Sequence, residues 1–288
     1  MLCGRACGVD RTKELGYCKM SDKLYLARAA LHYWEEPPIS GDRGSGTIFF
    51  SGCSLRCVYC QNREISRGES GREVSLERLS EIMHELSIKG AHNINLVTPT
   101  HFVPSIKKAI ILAKSRGLDI PIVYNTSSFD SVDALRSLSG LVDIYLADMK
   151  YYLGKTAKKL SFAENYPEVA RLAIEEMVKQ TGECVIDSCG IMKKGVIVRL
   201  LLLPGHLAEA KLCLKYLFDR YGDSIYISLM SQYTPRDDLP SPLNRRVTKR
   251  EYLELCEYAE KLGVKNGFTQ EAESAEESFI PPFDNTGI

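Results

Sequence analysis

The chain contains no apolar run approaching the roughly 18 residues that a membrane-spanning helix needs. Its amino terminus lacks an apolar signal core too, because Arg5, Asp10 and Arg11 interrupt it. An excess of charge of one sign is also missing. Lys+Arg and Asp+Glu both number 37, so nothing in the overall charge points to nucleic acid or an anionic membrane. No internal repeat stands out. Without an export signal, the ten cysteines read as metal ligands and reduced thiols rather than disulfides. The expected compartment is the cytoplasm. Apolar residues make up 44% of 288, enough for the core of one large α/β domain.

Three of the cysteines dominate the rest. The stretch Phe49-Phe50-Ser51-Gly52-Cys53-Ser54-Leu55-Arg56-Cys57-Val58-Tyr59-Cys60-Gln61-Asn62 sets a C-x3-C-x2-C pattern directly after a short apolar run. A cuboidal [4Fe-4S] cluster needs thiolates converging on separate iron corners, and a loop of this length supplies three. No nearby cysteine completes a local set of four, unlike ferredoxin patterns. One iron would stay open, as catalytic metal sites keep a position open. Structural zinc is the competing reading, but the second ligand pair that zinc normally recruits is not visible downstream at suitable spacing.

This motif resembles that of the radical S-adenosylmethionine superfamily. Tyr59 stands where the family places an aromatic before the third cysteine, and Cys60-Gln61-Asn62 is similar to the ending found in the pyruvate formate-lyase activating enzyme group. The resemblance implies a cluster on Cys53, Cys57 and Cys60 whose free iron binds S-adenosylmethionine. One electron then gives methionine and a 5′-deoxyadenosyl radical. It further implies an electron donor such as flavodoxin or ferredoxin, and a glycyl radical enzyme as protein substrate. Radical chemistry on another protein, an RNA or a small molecule is the alternative. A non-catalytic iron-sulfur or zinc protein is the third reading.

Ahead of the motif lies a second cysteine group, Cys3, Cys7 and Cys18, spaced C-x3-C-x10-C among glycines. It resembles the leader of one branch of the activating-enzyme-like proteins, but Gly4 replaces a proline and the first cysteine of that pattern would precede Met1. Zinc or a second cluster at these three residues and simple packed thiols are both open. Residues 21–45 are expected as helix up to Pro37-Pro38.

From residue 46 onward, six strand-like runs alternate with helix-like runs. The strands are expected at 46–51, 93–97, 120–124, 142–147, 195–203 and 225–230. Ser75 and the Thr248-x-x-Glu251 box open two of the helices. Six such units predict a parallel sheet with right-handed crossovers, an open (β/α)6 partial barrel over 46–264. A cysteine-containing leader and helix over 1–45 precede it. A tail over 265–288 follows, acidic at first and then aromatic, folding back over the barrel mouth or staying loose.

Chemistry in such barrels gathers where strands end. The second strand ends in Thr98-Pro99-Thr100-His101, where relatives often carry G-G-E. Thr98 and Thr100 are candidate cofactor contacts without that carboxylate, and His101 is either a substrate residue or a polar loop residue. The third strand ends in Asn125 and Thr126, further candidate contacts. Asp148-Met149-Lys150 matches the group's D-x-K, which implies that Lys150 holds the cofactor's carboxylate and Asp148 orients it. Arg199 sits in an apolar strand and needs a carboxylate partner, from ligand or protein. Gln232 stands where several activating enzymes place a histidine against the ribose. Cys213 and Cys256 read as packed thiols within helices.

Overall fold

The computed structural model describes residues 1–270 and 280–288. The chain enters the fold through β1 (Leu24–His32), a short α1 (Pro37–Ser40) and β2 (Ser45–Phe50). Next come α2 (Arg63–Ser66), β3 (Arg72–Val74), α3 (Leu76–Ile88), β4 (Ile94–Val97) and α4 (Val103–Ser115). The middle of the chain forms β5 (Ile122–Thr126), α5 (Val132–Arg136), β6 (Ile144–Asp148), α6 (Gly154–Ser161) and α7 (Tyr166–Thr181). The remainder forms β7 (Val185–Ile186), β8 (Met192–Leu201), α8 (Leu207–Tyr221), β9 (Tyr226–Met230), α9 (Lys249–Leu262) and β10 (Gly267–Thr269).

The sheet order is β10-β9-β8-β6-β5-β4-β2-β1-β3, with β7 as a short hairpin arm on β8. From β2 through β10 every neighbouring pair on this path is parallel, while β1 joins β2 and β3 antiparallel. The six parallel strands expected from the sequence are β2, β4, β5, β6, β8 and β9. β10 extends them, and among the described residues the two ends of the path do not pair with each other. This is an α/β fold of the open partial-barrel kind. Strands β2, β4 and β5 are buried at every position, as parallel strands covered on both faces must be.

Local signals set the helices around this sheet. Ser75 caps α3 by accepting from the Arg78 amide at 3.0 Å, and Leu79, Ile82, Met83 and Leu86 form its buried stripe. Thr248 and Glu251 close a reciprocal capping box on α9. The helix expected over residues 21–45 is instead strand β1, followed by the single turn of α1. Its Leu, Ala and Arg residues are good helix formers, but propensity is a weak determinant beside tertiary context. Between β2 and β3, however, both backbone edges of β1 find partners, and Leu24, Leu26, Ala27 and Ala29 are buried. That pairing overrides propensity.

The carboxyl-terminal residues return across the open end. The Asn285 amide donates to the Ala27 carbonyl at 3.1 Å, and the Ala29 amide donates to that of Thr286 at 2.9 Å. Phe283 packs edge-on against Phe49, with ring centroids 5.5 Å apart, and Arg28 pairs with Asp284 at 2.8 Å. The acidic part of the tail lies outside the described residues. No described helix is long and apolar enough to cross a membrane.

Candidate functional site

β2 runs into the cysteine loop through Gly52, where φ is +82°. A Cβ there would collide with the Met20 side chain and the Cys18 carbonyl, so only glycine lets the strand turn this close to the leader. The loop is then fastened from two sides. The Val58 amide donates to the Leu160 carbonyl at the end of α6 at 2.9 Å, and the Arg5 Nε donates to the Ser54 carbonyl at 2.8 Å. Leu55, Tyr59, Tyr151, Leu160 and Tyr233 wall the cysteines with apolar surface.

Cys53, Cys57 and Cys60 open onto one cavity of about 250 Å³ at the carboxyl ends of the parallel strands. Burial and the neighbouring thiols push Cys60 up to about 12 and raise Cys53 as well. Such thiols become ligands only when a metal takes the proton's place. The Ser161 hydroxyl donates to the Cys57 sulfur at 2.9 Å, and the Leu55 amide to that of Cys53 at 3.4 Å. Hydrogen bonds of this kind tune cluster potentials. No three His, Cys, Asp or Glu side chains among the described residues gather in the manner of ligands to one ion. Three thiols on one loop, a polar cavity beside them and no fourth cysteine lining it fit a [4Fe-4S] cluster with one iron left for a ligand.

The other strand ends converge on the same cavity. Tyr59, Thr98, Asn125, Thr126, Asp148, Lys150, Arg199 and Gln232 all line it. Thr100 does not. It is buried in a 3-10 turn over Thr100–Phe102, with its hydroxyl 3.5 Å from that of Thr126. Its part is to back Thr126, whose own hydroxyl donates to the buried Asp130 carboxylate at 2.5 Å. Thr98 has φ +60°, an outlier for a β-branched residue, at the point where β4 reaches the cavity. His101 also lies away from the cavity, donating from Nε2 to the Ser51 carbonyl at 2.7 Å.

A network of charges forms the floor. Lys150 Nζ stands 2.7 Å from Asp148 Oδ2, and Arg199 Nε 2.8 Å from Asp148 Oδ1. Arg199 also reaches Glu35 Oε2 at 3.3 Å and donates to Asn125 Oδ1 at 2.6 Å. Register explains the meeting, since Asp148 lies directly opposite Arg199 across β6 and β8. Burial alone would raise the Asp148 carboxyl, but Arg199 and Lys150 outweigh it and hold it below the ordinary range. Burial likewise works against the Lys150 ammonium, and Asp148 and Cys57 outweigh it, so its pKa is raised. Both groups are therefore charged at neutral pH.

Glu35 was not visible as a site residue in the sequence. It follows β1 and accepts from Asn95 at 2.9 Å and Asn125 at 3.3 Å beneath the cavity. Burial nevertheless raises its pKa, as it does that of Glu36 beside it. His32, Trp34, Ile280 and Pro281 were missed in the same way and line the mouth. Only the expected C-terminal return gave any signal for them. The leader cysteines Cys3, Cys7 and Cys18 border a separate cavity of about 170 Å³ behind the loop. All ten cysteines are free, with Cys213 buried in α8 and Cys256 half-buried in α9.

Known proteins resemble this chain at several levels. An uncharacterized protein of Methanocaldococcus jannaschii is 29% identical over 276 residues, covering 91% of this chain and 74% of that one. A "Putative glycyl-radical enzyme activating enzyme" of Haemophilus influenzae is 35% identical over 121 residues, covering 39% of this chain and 45% of that protein. Among solved structures, Streptococcus suis SuiB bound to precursor peptide SuiA aligns with a TM-score of 0.53 at 12% identity, covering 77% of this chain and 47% of that one. SuiB bound to S-adenosylmethionine aligns at 0.52, also at 12% identity, covering 77% of this chain and 48% of that one. The chain thus spans about half the length of the solved structures it matches, and they show the fold alone. The family model for the radical SAM superfamily matches residues 47–191, the stretch from β2 through the cysteine loop and the D-x-K strand end. The protein belongs to the radical SAM superfamily, whose members work with a [4Fe-4S] cluster and S-adenosylmethionine.

Proposed function

We propose that this radical SAM protein activates a glycyl radical enzyme by abstracting hydrogen from a backbone glycine of that partner. The observation that carries the reading is the 35% identity over 121 residues to the Haemophilus influenzae protein named above. The D-x-K strand end, with its buried and charged Asp148 and Lys150, supports it. When bound, the cluster and S-adenosylmethionine supply reductive cleavage to methionine and a 5′-deoxyadenosyl radical.

The chain's own residues bind and orient. Cys53, Cys57 and Cys60 hold the cluster. Lys150 holds the cofactor's carboxylate, and Asp148 fixes Lys150 while itself anchored by Arg199. Thr98, Asn125 and Thr126 offer hydroxyl and amide groups at the strand ends. Gln232 donates an amide hydrogen bond from beyond β9, and Tyr59 closes the apolar side of the cysteine loop. The partners are the glycyl radical enzyme and a one-electron donor such as flavodoxin or ferredoxin, in the cytoplasm.

The test is isotopic. The anaerobically reconstituted protein is given candidate partners carrying α-deuterated glycine, and the 5′-deoxyadenosine formed is weighed. Deuterium in the nucleoside, with a glycyl radical signal on the partner, is the expected result. Cofactor cleavage that transfers no deuterium from any glycyl radical enzyme would reassign the chemistry to another protein, an RNA or a small molecule.

A further inference from the structure

We propose that the outer face of α6 is the docking surface for the electron donor, an acidic protein of the flavodoxin type that presents a reduced flavin. The surface consists of Lys155, Lys158, Lys159 and Phe162, with Arg5 and Arg56 beside it. The inference rests on the superfamily's need for a one-electron donor, which holds whatever substrate the radical attacks.

Helix geometry makes the surface. In α6 (Gly154–Ser161) residues Thr156, Ala157, Leu160 and Ser161 are buried, whereas Lys155, Lys158 and Lys159 are exposed, as is Phe162 at the cap. The exposed positions follow the i, i+3, i+4, i+7 spacing of a single helix face. Lys158 pairs with the exposed Glu164 at 2.8 Å, while Lys155 and Lys159 have no ion-pair partner among the described residues. The whole chain carries as many acidic as basic residues, so this local excess of cations comes from placement and not from composition.

The opposite face of the same helix touches the cluster loop. The Ser161 hydroxyl donates to the Cys57 sulfur at 2.9 Å, and the Leu160 carbonyl accepts from the Val58 amide at 2.9 Å. A lysine stripe on most helices is only a solvated face. This one is joined to a cluster ligand through a single side chain.

Phe162 marks the centre of the surface. It is 55% exposed and caps α6 at φ +54°, a left-handed conformation that favours glycine and costs other residues about 1–2 kcal/mol. Packing within the chain does not account for a ring that stands more than half in solvent; contact with a partner does. The backbone beneath it is pinned, since Arg5 donates to the Phe162 carbonyl and, at 2.6 Å, to that of Ser161. Arg5 and Arg56 both stack on Tyr17, 3.9 Å and 4.0 Å from its ring centroid, which sets two further cations near the helix end.

An aromatic centre with a charged rim is the build of a protein interface. The ring offers a planar flavin a surface to stack on, and the rim lysines steer an acidic partner toward it. One electron leaves the reduced flavin and one enters the cluster, with no atom exchanged. The surface has only to bring the carrier close and let the protein go again, and a small contact that weakens with salt does that.

The experiment uses the anaerobically reconstituted full chain. Calorimetric titration with oxidised flavodoxin should show binding that weakens as salt is raised. Lys155→Glu with Lys159→Glu should lower that affinity roughly tenfold or more at low ionic strength. Lys89→Glu with Lys108→Glu, on α3 and α4, makes the same change in net charge and should leave the affinity near the native value. Cofactor cleavage driven by flavodoxin, its reductase and NADPH should fall in the Lys155/Lys159 variant. It should fall also in Phe162→Gly, which removes the ring and suits the left-handed cap. Cleavage driven by dithionite should stay near the native rate in both. Absence of flavodoxin binding by the native chain, an equal loss in the α3 and α4 control, or a loss that dithionite shares overturns the proposal. Because the binding and dithionite measurements need no substrate, their outcome is separate from that of the glycyl radical reading.

Discussion

The loop after β2 has cysteines in front of it and behind it, and the two groups are built differently. In front, Cys53, Cys57 and Cys60 come from one short segment, and their meeting is set by the loop that carries them. Behind, Cys3, Cys7 and Cys18 come from a leader with almost no regular structure, fastened by the Arg5 and Arg11 side chains to the Ser54 and His101 carbonyls, and border one cavity. The front group faces a polar cavity floored by paired charges; the back group faces backbone and apolar surface. A site meant to bind and cleave a charged cofactor needs the first environment. A site that fastens one segment to another can use the second.

The largest effect expected from this contrast is on cofactor cleavage. Replacing any one of Cys53, Cys57 or Cys60 by Ala should abolish 5′-deoxyadenosine formation, since two thiolates cannot hold the cube with one corner open. Cys7→Ser should leave substrate-free cleavage near the unmodified rate. Equal loss from front and back would erase the distinction between the two groups.

Next is the floor of the front cavity. Arg199→Met leaves Asp148 and Glu35 buried without their shared cation, which should cost about 3–5 kcal/mol of stability. Thermal or denaturant unfolding measures it, and adding Glu35→Gln should recover part of the loss. An unchanged midpoint would mean that solvent, not Arg199, compensates those carboxylates.

Lys150→Ala should act on binding instead. Loss of a charge-assisted hydrogen bond of about 1.5–3 kcal/mol weakens S-adenosylmethionine binding about tenfold or more. Iron content should stay the same, and calorimetric titration separates the two quantities. Unchanged affinity would assign the Asp148–Lys150 pair to barrel architecture.

The smallest effect belongs to the mouth. Burial pushes the His32 imidazole down to about 4 from its usual 6.5, with Arg28 adding to the shift. Because the folded pKa lies below the unfolded one, this contribution to stability is present in full above about pH 6.5. It is lost as the pH falls from there through 4. His32→Gln should flatten the stability profile within that window and leave it unchanged at pH 8. A profile identical to that of the native chain would show that the ring is solvated.

Local chemistry made much of the molecule legible in the sequence. The C-x3-C-x2-C loop, the alternation of six parallel strands with helices and the caps at Ser75 and Thr248 follow from spacing or periodicity over short distances, Asn125, Thr126, Asp148 and Lys150 were legible through the resemblance of their strand ends to a known family, and Arg199 stood out as a charge in an apolar strand. Such signals survive in sequence because the residues that interact are close along the chain or occupy equivalent ends of successive strands. Tertiary structure decided the rest. It made residues 24–32 a strand where propensity leaned to helix, because β2 and β3 supplied backbone partners on both sides. It placed Glu35 under Arg199, moved Thr100 behind Thr126 and brought Ile280 and Pro281 to the mouth. It also placed His101 against the Ser51 carbonyl at the border of the leader cavity and away from the cofactor cavity. None of these depends on a local pattern; each is a contact between residues far apart in the chain, fixed only when the sheet closes the distance between them.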